Sequence, residues 1–203
     1  SSFYDDGSGF SGFGGFGGHG SAGFDQKGQD LNASVSVTFD EAAFGCDKRI
    51  TLQDQSGKAQ TLEVHIPAGI DSGKSIRLRG KGMPGTGKGG AGDLLLKVTV
   101  QPKAGYERKG MDVYTTVSIP YTTAVFGGEA RVYTLYGDVM CKIKEGTQSG
   151  SKIRLRGKGI VSMKDANVHG DQYVTVQIQV PRHLNAEARQ KLMEYKKAAA
   201  GGR

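Results

Sequence analysis

Beginning at Asp30, apolar side chains fall on every second position: Leu31, Ala33, Val35, Val37 and Phe39, with polar or small residues between them. Period two sustained over this length predicts a half-buried strand. Asp40-Glu-Ala-Ala-Phe-Gly45 then breaks the alternation and reads as one helical turn closed by glycine. Strands are predicted over 48–52 and 61–66, joined by a hairpin loop at Asp54 to Gly57. Two more, 76–79 and 93–100, flank a glycine-rich loop. The same order returns downstream, with strands at 112–119, 131–134, 139–143, 153–156 and 172–180 and a turn through 123–127. Only after Asn185, a good N-cap, does the period lengthen: Ala188, Leu192, Tyr195 and Ala199 share one face of a helix over 186–200. That apolar stripe is narrow, which suits a partner helix.

The recurrence is a duplication. Ile-Arg-Leu-Arg-Gly-Lys-Gly occupies 76–82 and again, residue for residue, 153–159. Gly92-Asp93 and Gly170-Asp171 open the closing strand of each copy, and Asp30 to Gly45 matches Asp112 to Gly127. A period of about eighty residues is too long for a solenoid unit and suits two small domains in tandem. The expected fold is therefore mostly β: two β-sandwich-like domains at 28–103 and 104–181, each around its own core, then a C-terminal helical segment at 182–203. Before them, residues 7–24 hold nine glycines and four phenylalanines. Glycine at that density leaves more backbone entropy than a few aromatic contacts offset, so 1–27 is expected to be a flexible segment.

Composition removes several function classes. The net charge of +7 invites a nucleic-acid partner, yet the tail from Arg182 onward carries six Lys or Arg against two Glu, leaving the two copies nearly balanced. Cys46 and Cys141, the only cysteines, sit at unrelated positions of the repeat, and the four histidines are scattered, so no metal, disulfide or cofactor is expected. No apolar run is long enough for a bilayer and no leader is evident, which predicts a cytoplasmic protein without a membrane partner. Gly82-Met-Pro-Gly-Thr-Gly87-Lys88 fits seven positions of a phosphate-binding loop, but Gly89 stands where Ser or Thr would hold magnesium, and a strand follows in place of a helix. Asp93 and Asp171 lack a patterned His, Ser or Cys partner and read as turn-capping carboxylates. Arg77 and Arg79, like Arg154 and Arg156, share one strand face opposite Ile and Leu, the pattern of a solvated sheet surface. No catalytic constellation remains, and an enzyme is not expected.

The glycine/phenylalanine segment, two β units carrying Ile-Pro-Ala-Gly-Ile-Asp-Ser-Gly-Lys-Ser-Ile-Arg-Leu-Arg-Gly-Lys-Gly, and a short terminal helix together resemble the C-terminal substrate-binding region of DnaJ-type co-chaperones. The resemblance implies a first unit that binds unfolded polypeptide clients, a second that is structural, a homodimer through Ala188, Leu192 and Tyr195, and a DnaK-type chaperone as partner. It also implies a client groove between the first two strands, with Lys48, Ile50 and Leu52 on one wall and Val35, Val37 and, from the closing strand, Val98 alongside. An extended client would pair with an exposed sheet edge there and seat alternate side chains, while Lys48 discourages runaway pairing. These 203 residues contain neither a His-Pro-Asp J domain nor Cys-x-x-Cys-x-Gly-x-Gly zinc repeats, for which the loop at Asp54 to Gly57 would be the insertion point. The chain by itself is thus expected not to stimulate a DnaK ATPase. It is similar to the zinc-free class, whose curved-DNA-binding members keep duplex DNA as an alternative partner.

Overall fold

Alternation at Leu31 becomes strand β1 (Leu31–Val37) in the computed structural model, which describes residues 23–53 and 57–202. Thr38 then caps α1 (Phe39–Phe44): its hydroxyl accepts from the Glu41 N–H, and the Glu41 carboxylate accepts from the Thr38 N–H. This reciprocal pair satisfies two backbone donors at the start of a helix too short to hold itself by propensity. The first copy continues with β2 (Cys46–Gln53), β3 (Ala59–Ile66), β4 (Ser75–Leu78) and β5 (Leu94–Val100). The second contains β6 (Glu107–Lys109), β7 (Asp112–Pro120), α2 (Tyr121–Phe126), β8 (Gly128–Thr134), β9 (Gly137–Ile143), β10 (Lys152–Leu155) and β11 (Gln172–Gln179), and α3 (Ala186–Ala200) follows.

The strands form a sheet in the order β1-β5-β4, a four-stranded sheet β10-β11-β7-β6, and two antiparallel pairs, β2-β3 and β8-β9. Parallel pairing of β7 with β11 sets Val117 beside Val176 and Ile119 beside Ile178. A parallel pair needs a long crossover, and α2, β8, β9 and β10 supply it. In β2-β3, Lys48 lies opposite Val64 and Ile50 opposite Leu62. Expected strands and observed ones agree within two or three residues. The turn expected at 123–127 is instead the helix α2, β6 was not anticipated, and the hairpin loop lies outside the described residues apart from Gly57.

The duplicated Ile-Arg-Leu-Arg-Gly-Lys-Gly owes its form to a carboxylate clamp. Gly80 and Gly157 take φ of 71° and 72°, a left-handed turn that other residues adopt only at a steric cost. Their N–H groups donate to Asp93 and Asp171, at 3.0 and 2.9 Å. The N–H of each of these aspartates donates in turn to Asp30 and Asp112, at 2.7 and 2.8 Å. A chain of hydrogen bonds thus ties the start of the first strand, the glycine turn and the closing strand of each copy. Asp93 and Asp171 are the turn-holding carboxylates that their position after glycine suggested.

By packing, the described residues up to Leu31 and Leu78–Leu94 form one compact unit, and the described residues of Asn32–Arg77 and from Leu95 onward form the other. Within the first, Asp25 and Gln26 are not free: Lys88 N–H donates to Asp25, and Gln26 exchanges backbone bonds with Thr86. Backbone of Gln26 also occupies the space a Cβ on Gly89 would need. The glycines of the phosphate-loop lookalike therefore serve a close backbone approach. Of the expected flexible stretch 1–27, residues 1–22 lie outside the described residues, while Phe24, Asp25 and Gln26 belong to this hydrogen-bonded arrangement.

The second unit holds two clusters internal to the later copy, one around Ile119, Ala124, Ile143 and Val176, the other around Val132, Cys141 and Val174. A further cluster joins Phe39 and Ala43 of α1 to Val113 and Ile160, with Tyr106 and Leu135 against it. The expectation of two self-contained cores thus holds only in part, because α1 of the first copy completes its burial on the second.

Candidate functional site

Among the described residues β1 and β2 each pair with a strand on one side only, β1 with β5 and β2 with β3. They meet at the two ends of α1, separated from it by Thr38 and Gly45. Their unpaired sides therefore offer N–H and C=O groups to an added strand. Burial across β2-β3 is graded. On the inward face, Leu62, Val64 and Ile66 of β3 are 9%, 1% and 0% exposed, whereas Lys48, Ile50 and Leu52 of β2 are half-buried. Val35 on β1 is also half-buried. Val37 and Val98, expected beside the groove, are 1% and 0% exposed, so they are sealed core and cannot touch a ligand in this conformation. Four of the six expected residues remain at accessible positions.

Lys48 has a fixed partner. Its Nζ lies 3.0 Å from Glu41 Oε1, tying β2 to the α1 capping box. Glu41 is held below the ordinary carboxylate range, first by the Thr38 N–H and then by Lys48. Burial together with the Glu41 carboxylate pushes the neighbouring Cys46 thiol up, so it stays protonated and unreactive at neutral pH. The sequence pattern Thr38-x-x-Glu41 is the signal of this cap.

The corresponding surface of the second copy is more covered. β6 pairs with the start of β7, Glu107 with Tyr114 and Lys109 with Asp112. Val132 and Thr134, which stand where Ile50 and Leu52 stand in the first copy, are 3% and 9% exposed. Gln172, fully buried, donates from Nε2 to Thr115 Oγ1 at 2.9 Å and to the Tyr133 carbonyl at 3.0 Å, binding β11, β7 and β8 together. Leu94 occupies the matching position in the first copy. A cleft of about 330 Å³ remains beside Tyr106, Thr115, Arg131 and Tyr133.

On α3, Asn185 caps the Ala188 N–H, and no residue of the helix is buried. Leu192 and Tyr195 are 45% and 51% exposed, and Ala188 is half-buried. Tyr195 holds the helix to the second copy through a 2.9 Å hydroxyl contact with Tyr121. An apolar groove of about 610 Å³ runs between them, lined by Ile178, Val180, Leu184 and Leu192 among others. Ala188, Leu192 and Tyr195 all line this groove, and Tyr121, which carries no sequence signal, lines it with them.

The profile of the DnaJ C terminal domain matches residues 31–181, three quarters of the chain. The chain belongs to that family. Two relatives, each described as chaperone protein DnaJ, are 45% identical to it. One, from Lachnospira eligens, aligns over 142 residues, 70% of this chain. The other, from Burkholderia pseudomallei, aligns over 145 residues, 71% of it. In both cases the matched region spans 38% of the relative's length. Within this DnaJ C-terminal region, Gln172 emerges from the structure as an organising residue that belongs to no recognisable motif, since its partners Thr115 and Tyr133 are brought near only by the fold.

Proposed function

We propose that this chain is the client-binding part of a DnaJ-type co-chaperone. It holds an extended, unfolded polypeptide at β1 and β2 of the first copy for delivery to a DnaK-type chaperone, and it acts as a homodimer through α3. The observation that carries this reading is the unequal burial of duplicated positions. Ile50 and Leu52 remain half-buried beside unpaired strand edges, while Val132 and Thr134 are sealed. Apolar side chains next to free backbone donors and acceptors suit a ligand that is itself an unpaired chain, because every residue of such a ligand supplies the same backbone groups. Family membership supports a chaperone assignment, and the two relatives bear that name.

The test is a fluorescence-anisotropy titration of an apolar unstructured peptide with the unmodified chain and with the variant Ile50→Ser/Leu52→Ser. The variant is expected to bind at least about tenfold more weakly, near 1.4 kcal/mol. Undiminished affinity would remove the groove assignment.

A further inference from the structure

The first copy's client strands are joined by α1, and α1 is anchored from outside its own copy. We propose that Arg108, on β6 of the second copy, is a positioning residue for the peptide groove: it locks the Gly69–Ile70 turn that holds α1, and so sets how β1 and β2 are presented. This inference rests on the groove reading above and adds the element that controls it.

The geometry is specific to a guanidinium. Nη2 donates to the Gly69 carbonyl at 2.7 Å, Nη1 to the Ile70 carbonyl at 2.6 Å, and Nε to the Gly110 carbonyl at 2.8 Å. The Arg108 side chain is 11% exposed, with the Asp71 carboxylate 3.9 Å from Nε. A planar fork reaches two successive carbonyls at once, whereas an ammonium on a flexible stem acts as a single point.

Gly69 is the relay. While its carbonyl accepts from Arg108, its N–H donates 2.8 Å to the carbonyl of Ala42 in α1. Gly69 has φ of 89°, and the Val161 carbonyl of the second copy stands where a Cβ would project, so the turn is seated directly against that copy. Phe39 and Ala43 of the same helix pack on Val113 and Ile160. Hydrogen bonds and packing thus bind α1 to the second copy through two routes.

The duplication supplies an internal control. In the matching turn of the second copy, Gly146 N–H donates to the Ala124 carbonyl of α2 at 2.9 Å, as Gly69 does to Ala42. There the Gly146 carbonyl is satisfied locally, by Gln148 Nε2 at 3.0 Å. The turn of the second copy is self-sufficient, and that of the first copy borrows its donor from the neighbour. Loss of the borrowed donor leaves two carbonyls to seek water, frees the turn and lets α1 shift the two strands it connects.

The experiment compares the whole unmodified chain with Arg108→Met, Arg108→Lys and Ile50→Ser/Leu52→Ser, reading peptide affinity by anisotropy, Gly69 amide exchange by NMR and thermal melting. Arg108→Met is expected to weaken peptide binding about fivefold or more and to raise Gly69 exchange at least tenfold. Arg108→Lys, which keeps the charge and one donor, is expected to fall between. If Arg108→Met does not fold, the lysine variant carries both readouts. Affinity within twofold of the unmodified chain, while Ile50→Ser/Leu52→Ser has lost binding, overturns the proposal. Should the serine variant also bind normally, the groove reading has failed instead. The latch is then judged on Gly69 exchange alone, and unchanged protection overturns it.

Discussion

Asp171 accepts the Gly157 N–H and two nitrogens of Arg154, with the shorter ion pair at 2.6 Å. These donors, the backbone one foremost, hold its carboxyl below the ordinary value of 3.8. A depressed carboxylate contributes stability that is present above its unfolded pKa and lost as pH falls through the folded one. Asp171→Asn should therefore melt below the unmodified chain at neutral pH, and the gap should close under acid conditions below that ordinary value. Melting curves taken across the acid range check this, and a gap that persists there would place the effect in packing. On the proposed role, Ile50 and Leu52 should cost less to truncate than core residues. Leu96→Ala, at a fully buried site, should lose about 2 to 5 kcal/mol, and Leu52→Ser clearly less, by denaturant unfolding. Comparable losses would show Leu52 to be core. Local alternation set Ile50 and Leu52 on one face of their strand and Val35 and Val37 on one face of theirs, and the resemblance placed Val98 beside them. Alternation could not separate sealed from half-buried positions, because depth depends on which strand edge the assembled sheets leave unpaired.

α3 has fifteen residues and buries none of them, and an isolated helix of that length is marginal in water. The Tyr121–Tyr195 contact and the apolar groove beneath Leu192 give it a seat, and a second copy would extend that burial. Deleting 182–203 is expected to yield monomers in analytical ultracentrifugation, and a surviving dimer would move the interface elsewhere. This helix was legible in sequence through its Asn cap and its wide spacing of apolar positions. α2 was not: it has no side-chain cap, since Pro120 stands at its N-cap. β6 escaped too, because three consecutive residues, Glu107-Arg108-Lys109, show charge without alternation. Its identity as a strand comes entirely from pairing with β7.

At the scale of the molecule, the duplication predicts the order of elements and hides their interdependence. The repeated motif gives each copy its own carboxylate clamp, while α1 shares its core cluster with the later copy. A chain ending at residue 103 lacks Tyr106, Val113, Leu135 and Ile160, so it should melt broadly and bind a hydrophobic dye. A chain starting at 104 keeps both internal clusters and should unfold cooperatively. Equal cooperativity of the two fragments would show the shared cluster to be dispensable. The same cluster has a consequence during synthesis. Ile160 leaves the ribosome roughly a hundred residues after Ala43, a lag of about ten seconds at typical elongation rates. Through that interval the nascent first copy carries its unpaired strand edges together with an uncovered α1 face, so translation itself leaves this chain, for a time, resembling an unfolded client.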